Sequence, residues 1–150
     1  MLLVVLALPL GGASDALLDR ATLRGALAFN VVIDPVAPEL EKEGATADAI
    51  RTRLEYRLRE DGIKIDTSAR QFVALRLTSV KAARGPFAIA MTIGLYQPVT
   101  LVRDPKLKTT TQTWEVETVV LAEPKQAYRA CMDSADELAK RFVTAYRAAN

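Results

Sequence analysis

Alternation of apolar and polar residues predicts five β-strands in this chain. The pattern is strongest from Phe87 to about Arg103, and shorter runs with the same period occupy residues 27–33, 63–65, 71–80 and 108–121. A proline-rich segment at 34–38 ends the first strand, and Asp104-Pro-Lys-Leu107 is typical of a hairpin turn. In the last strand the alternation predicts one face with Trp114, Val116 and Val120 and another with Thr111, Thr113, Glu115 and Glu117.

Apolar residues with helical spacing predict two amphipathic helices. In the first, Ile50, Leu54 and Leu58 form a stripe between Thr46, a helix-capping residue, and Gly62, a typical helix terminator. The second begins at Pro124 and runs to the C-terminus. Its stripe consists of Ala127, Cys131, Ala135, Leu138, Phe142, Ala145 and Ala149.

The predicted order of elements is β-α-β-β-β-β-α, in one domain over residues 17–150, with a linker at 17–25. An antiparallel sheet of about four to five strands, with both helices packed on its apolar face, buries every apolar stripe at once. The sequence therefore predicts an α+β fold whose sheet has a second, uncovered face. A first strand from Leu27 to Ile33 would place Leu27 in the core.

The first 16 residues are predicted to be a secretory signal peptide. The apolar run of about ten residues is shorter than the roughly 20 that span a bilayer as a helix. Small residues at Gly11 and Ala13 fit cleavage after Ala13, and Ser14 with Ala16 fits cleavage after Ala16. The alternative is a buried first element of the mature fold. The single cysteine, Cys131, can form no internal disulfide, so the fold depends on its core alone.

Composition excludes several kinds of site. The chain has no histidine and one cysteine, which excludes serine and cysteine triads that use histidine and zinc sites built from these residues. The net charge of +2, from 20 basic and 18 acidic residues, gives no indication of nucleic-acid binding. We expect no cofactor, no metal and no transmembrane span in the mature chain. Cys131 lies in an apolar stripe, which favours a buried hydrophobe over a reactive thiol.

The uncovered face of the sheet is the first candidate site. Small residues would let another surface approach the backbone closely, and a tyrosine could serve as an anchor. The alternative is an ordinary solvated sheet face. The candidate residues are Ala88, Ala90, Thr92, Gly94 and Tyr96.

The polar face of the first helix is the second candidate. Its arginines could meet an anionic partner such as lipid head groups, and they are Arg51, Arg53, Arg57 and Arg59. The acidic residues between them favour instead a solvated face with i,i+4 ion pairs. These pairs would be Arg51–Glu55, Glu55–Arg59 and Arg57–Asp61.

A pair of carboxylates is the third candidate. Glu115 and Glu117 would lie on one strand face with Cα atoms about 7 Å apart, a separation that a glycosidase pair could tolerate. Nothing in the sequence indicates the cleft that would raise the pKa of the catalytic acid, and the neighbouring threonines favour an exposed sheet. We therefore expect no enzymatic activity.

Two segments resemble an uncharacterised family of small exported bacterial α+β proteins. Residues 49–65, AIRTRLEYRLREDGIKI, resemble that family's helix, glycine and strand, and residues 96–104 with Thr113-Trp114 resemble its long strand and following tryptophan. The order of elements is also similar to that of the N-terminal domain of TolB. The resemblance implies an envelope compartment and carries no site residues.

These observations lead to one expected function and one alternative. We expect an exported, periplasmic or secreted protein that binds or scaffolds in the bacterial cell envelope without catalysis. Its partner would be an unknown envelope protein or a second copy of itself. The alternative is a small-molecule or lipid carrier with a cavity between the sheet and the helices.

Overall fold

The computed structural model describes residues 14–83 and 85–150 of the chain. Within them an α+β fold combines one four-stranded sheet with four helices. The strands are β1 (Asn30–Ile33), β2 (Phe72–Lys81), β3 (Phe87–Leu101) and β4 (Asp104–Ala122). The helices are α1 (Leu17–Ala21), α2 (Pro38–Lys42), α3 (Ala47–Glu60) and α4 (Ala127–Ala149), the last preceded by a 3₁₀ turn at Pro124–Gln126.

The sheet is mixed, not wholly antiparallel as predicted. Its strand order is β1-β2-β3-β4, and β2 runs antiparallel to β3, as β3 does to β4. In contrast, β1 pairs with β2 in parallel. The chain between these two strands contains α2 and α3, and such a crossover returns the chain to the end of the sheet where β1 began.

The first part of the chain differs from the prediction in four places. Residues 63–65 do not form a strand; Ile65 makes a single parallel bridge with Phe29. Leu27 precedes β1 and is 81% exposed, so it is not part of the core. The segment 17–25 contains the short helix α1, and the segment after β1 contains α2. Prolines mark turns and first turns of helices equally well, which is why α2 was not predicted.

Both long helices form where the sequence predicts them. The Thr46 hydroxyl oxygen accepts a hydrogen bond from the Ala49 amide at 3.2 Å, which caps α3, and Gly62 follows it at φ +83°. Every residue of the predicted α4 stripe from Ala127 to Ala145 is buried. The local periodicity therefore placed both apolar faces correctly.

A β-bulge in β4 reverses which of its side chains point to each face of the sheet on the turn side of residue 113. Leu95 pairs with Trp114, but Tyr96 pairs with Gln112, so Thr113 is the additional residue. Beyond it Thr111 pairs with Gln97 and shares the face opposite to that of Tyr96. The prediction that Thr111 and Thr113 lie with Glu115 is therefore wrong. The hairpin turn also lies earlier than predicted, at residues 102–103.

Aromatic side chains fill the space between the sheet and the helices. The Phe142 ring of α4 meets Trp114 of β4 at a centroid distance of 5.5 Å and an interplanar angle of 69°. It also meets Phe29 edge to face at 5.3 Å. All three side chains are fully buried. This cluster connects α4 to β4, at one edge of the sheet, and to the chain just before β1, at the other edge.

The segment just before α1 is attached to the core through Trp114. The indole Nε1 donates to Asp15 Oδ1 at 2.8 Å, and Arg20 donates to the same carboxylate at 2.6 and 2.9 Å. Burial raises the pKa of Asp15, but the hydrogen bonds from Arg20 and Trp114 and nearby positive charges outweigh it, so the pKa lies below the ordinary 3.8. The apolar run at 1–13 lies outside the described residues. None of the described helices is long and apolar enough to cross a membrane.

Cys131 is expected to be unreactive in the folded protein. It is buried, and that burial raises the pKa of its thiol to about 11, so the reactive thiolate is scarce at neutral pH. Because it is the only cysteine of the chain, maleimide labelling followed by intact mass reports on it alone. We expect labelling only after addition of denaturant; rapid labelling of the native protein would contradict this.

Protonation of Asp15 is expected to weaken the fold in acid. Since the folded-state pKa lies below 3.8, the stabilisation by the carboxylate is complete above that pH and is lost as the pH falls through the folded-state value. Asp15→Asn keeps an acceptor for Trp114 but has no charge to lose. We therefore expect the wild-type melting temperature to exceed that of Asp15→Asn at pH 7 and the difference to shrink below pH ~3.8. A difference that is the same at both pH values would contradict the assignment.

Candidate functional site

The open face of the sheet, which is the face turned away from α3 and α4, carries an exposed apolar strip. Its exposed members are Val80 on β2, at 69%, and Val119 and Leu121 on β4, at 62% and 75%. Cross-strand pairing aligns these side chains with Ala88 and Ala90 on β3: Val80 and Leu121 both pair with Ala88, and Val119 pairs with Ala90. We call these five residues the apolar strip.

The five predicted residues of the open face divide into two groups. Ala88 is exposed and Ala90 is partly exposed within the apolar strip, as the prediction requires. Thr92 lies in the next row and is half-buried. Gly94, however, is buried, because the Gln112 side chain lies over it: a Cβ at that position would be 2.7 Å from Gln112 Nε2. Close approach of another surface is therefore available at Ala88 and Ala90 and blocked at Gly94.

Tyr96 belongs to a polar cluster that occupies the other end of the open face. Its ring stacks on Phe72 at 5.0 Å with an interplanar angle of 1°, and its hydroxyl donates to Gln112 Oε1 at 2.8 Å. The Gln112 amide donates in turn to the Glu115 carboxylate, which lies 3.4 Å from Arg76 Nη2. The predicted aromatic anchor is thus engaged within its own sheet.

Val80, Val119 and Leu121 were not predicted as site residues. The signal was present in the sequence, because β4 carries apolar residues in both phases of its alternation near its end: Val119 and Leu121 in one, Val120 in the other. An apolar residue in the outward phase of a strand indicates a surface that is not simply solvated.

All four arginines of the predicted anionic-partner face have protein partners. Arg53 donates to both carboxylate oxygens of Asp136 on α4, at 2.8 and 2.5 Å, and Arg57 lies 3.3 Å from the same carboxylate. Arg57 also pairs with Glu60 at 2.8 Å. These contacts tie α3 to α4.

The other two arginines are also engaged. Arg59 pairs with Glu55 at 2.8 Å, as the i,i+4 spacing predicts. Arg51 does not follow the predicted pairing but donates to the Val31 carbonyl at 2.7 Å, which joins α3 to β1. The arrangement resembles the solvated, ion-paired face that was the alternative interpretation of these residues.

Glu115 and Glu117 do not form an isolated carboxylate pair. Glu115 contacts Gln112 and Arg76 in the polar cluster, whereas Glu117 is exposed and its carbonyl accepts a hydrogen bond from Arg141 at 2.8 Å. Within residues 14–83 and 85–150, no group of three or more acidic or cysteine side chains is placed to hold a metal ion.

The space predicted for a carrier's cavity, between sheet and helices, contains the aromatic cluster of Trp114, Phe142 and Phe29. A groove of about 860 Å³ lies elsewhere, on the outer side of α3 and α4, and its walls include Ala49, Tyr56 and Met132. The three fully buried rings of the aromatic cluster occupy part of the space in which the carrier interpretation places its cavity.

The fold and the open face define an α+β domain with a mixed four-stranded sheet that is covered on one side. No protein-family model and no curated protein sequence matches the chain.

Solved structures give weak similarities. A PelC dodecamer from Paraburkholderia phytofirmans matches with a TM-score of 0.44 and 12% identity, over 77% of this chain and 88% of that one. A minor lipoprotein from Acinetobacter baumannii matches with a TM-score of 0.35 and 11% identity, over 81% and 93%. Rare lipoprotein B from Shewanella oneidensis matches with a TM-score of 0.33 and 14% identity, over 81% of this chain and 94% of that one. Similarity at this level carries no argument about function.

Asp136 is expected to stabilise the contact between α3 and α4. Its side chain is 19% exposed, accepts hydrogen bonds from Arg53 and lies 3.3 Å from Arg57. Asp136→Asn should therefore cost about 1 to 2 kcal/mol of unfolding free energy, measured by urea denaturation. The matched control is Asp133→Asn on the same helix, where a 67% exposed carboxylate lies 3.6 Å from Arg129; there we expect less than about 0.5 kcal/mol. Equal losses in the two variants would contradict this role.

Proposed function

We propose that the protein is exported and acts in the bacterial cell envelope, in the periplasm or after secretion, as a non-catalytic binding or accessory protein. Its open sheet face is the binding surface. The apolar run that precedes Ser14 supports export. The observation that carries the binding role is the apolar strip, where three large aliphatic side chains are each more than 60% exposed on one sheet face.

The apolar strip has the composition of a contact surface. Isolated apolar residues on a surface need no explanation, but neighbouring ones on a flat face remain in contact with water until a partner covers them. Ala88 and Ala90 lie between the larger side chains of β2 and β4. Their small size lets a second sheet pack closely along β3, in the manner of face-to-face sheets.

The partner that fits this face is a second copy of the chain. Arg76 on β2 and Glu117 on β4 both pair with Thr92 of β3, so opposite charges flank the central strand in one row. A two-fold axis parallel to β3 places β2 of one copy over β4 of the other. It brings Arg76 over the partner copy's Glu117 and Val80 over the partner copy's Leu121. Each charge meets its opposite, and the apolar side chains of the strip meet one another.

Sedimentation velocity over a range of concentrations tests the dimer. We expect wild-type protein to associate and Ala90→Arg to be monomeric, because an arginine at the centre of the apolar strip would be buried without a partner. Ala88→Arg, at a more exposed position, should act in the same way. The matched control is Ala148→Arg, on the exposed surface of α4, which should associate like the wild type.

Two results would contradict the dimer. One is a wild-type protein that remains monomeric up to millimolar concentration, and the other is association that persists unchanged in both strip variants. Circular dichroism melts of the variants establish that they are folded before their masses are compared.

A further inference from the structure

We infer that the leader is removed between Ala13 and Ser14, so that Ser14 and Asp15 remain in the mature protein. The inference rests on the proposed export of the chain. Its basis is a set of contacts between residues 14–20 and the core, together with the small residues Gly11 and Ala13 that precede the bond.

Asp15 is part of the folded domain and not of a detachable leader. Its Oδ1 accepts the indole N–H of Trp114 at 2.8 Å, and Trp114 is a fully buried member of the aromatic cluster. Arg20 also donates two hydrogen bonds to this carboxylate, one to each oxygen. Cleavage after Ala16 would remove this acceptor and leave the buried N–H without it, an arrangement that folded proteins avoid.

Ser14 also has contacts that cleavage after Ala16 would remove. Its carbonyl accepts from the Glu115 amide of β4 at 3.4 Å, and its hydroxyl donates to Asp19 Oδ2 at 2.6 Å. The Ser14 nitrogen donates to the same oxygen at 2.9 Å. Residues 14 and 15 thus connect β4 to α1.

Hydrolysis of the bond between Ala13 and Ser14 would produce a positively charged α-amino group next to the Asp19 carboxylate. The carbon–nitrogen bond between Ala13 and Ser14 breaks; water supplies a hydroxyl to the Ala13 carbonyl carbon and a proton to the Ser14 nitrogen. The catalyst is a signal peptidase of the host, which acts before the chain folds. The new α-amino group is largely protonated near neutral pH. Its position, 2.9 Å from the Asp19 carboxylate, makes both donor and acceptor charged, where before cleavage only the carboxylate is charged.

The test is the N-terminus of the protein isolated from the envelope fraction of a bacterial host that expresses the full chain. We expect an intact mass that corresponds to a chain beginning at Ser14. A chain that begins at Leu17 would overturn this inference and leave export in place. Precursor found only in the cytoplasm would overturn both this inference and the proposed export.

Two matched variants test the position of the bond independently. Leucine is too large for the small-residue position before a signal-peptide cleavage site. Ala13→Leu should therefore abolish the Ser14 terminus, whereas Ala16→Leu, at an exposed position in the fold, should leave it unchanged. If Ala16→Leu blocked processing and Ala13→Leu did not, cleavage after Ala13 would be wrong.

Discussion

The edge-to-face contact between Trp114 and Phe142 is the interaction on which the two layers depend. Removal of a buried phenylalanine side chain lowers the free energy of unfolding by about 3–5 kcal/mol, a large part of the roughly 5–15 kcal/mol by which a domain is stable. The Phe142 ring contacts Trp114 of β4 and Phe29 of the chain just before β1. The same tryptophan reaches Asp15 beyond the sheet. One cluster therefore holds the sheet, α4 and the start of the domain in fixed relation.

Because the helices cover one face of the sheet, the other face is open to solvent. Both long helices lie on the same face, so the open face must satisfy its own polar groups or meet a partner. Its two ends do this differently. Around Tyr96 the side chains hydrogen-bond among themselves. Around Ala88 the neighbours are aliphatic and exposed, and no internal arrangement can remove them from water.

Local signals were sufficient for much of the fold. The spacing of Ile50, Leu54 and Leu58 and the cap at Thr46 determine α3 within one or two turns of chain, and the same holds for the α4 stripe and the alternation in β3. The parallel pairing of β1 depends on where a crossover returns, which no local pattern specifies. The alternation predicted for β4 is wrong on the turn side of residue 113 because the pairing there also depends on nonlocal contacts. The single additional residue moves each side chain between it and the turn to the opposite face of the sheet.

The same distinction applies to the candidate site. Ala88 and Ala90 were predicted because strand phase alone places them outward. The burial of Gly94 was not, because it depends on Gln112, which the bulge brings to the open face. Helical spacing placed the arginines of α3 on one polar face, but the partners of Arg53 and Arg51 lie on α4 and β1, distant in sequence. Nonlocal partners decide whether a charge is available to a ligand.

The bulge at Thr113 divides the long hairpin into a proximal segment, next to β2, and a distal segment, next to the turn. Different contacts determine the register of each segment. Between Phe87 and Leu95 each outward or inward position is fixed by the helices that cover the sheet. Beyond Thr113 the hairpin extends past the end of β2 and pairs only with itself, with most of its side chains in solvent. Sequence changes in the distal segment are therefore not transmitted to the register of the core. Residues added to or removed from the turn at 102–103 would therefore change the length of the distal segment and leave the pairing of the proximal half as it is.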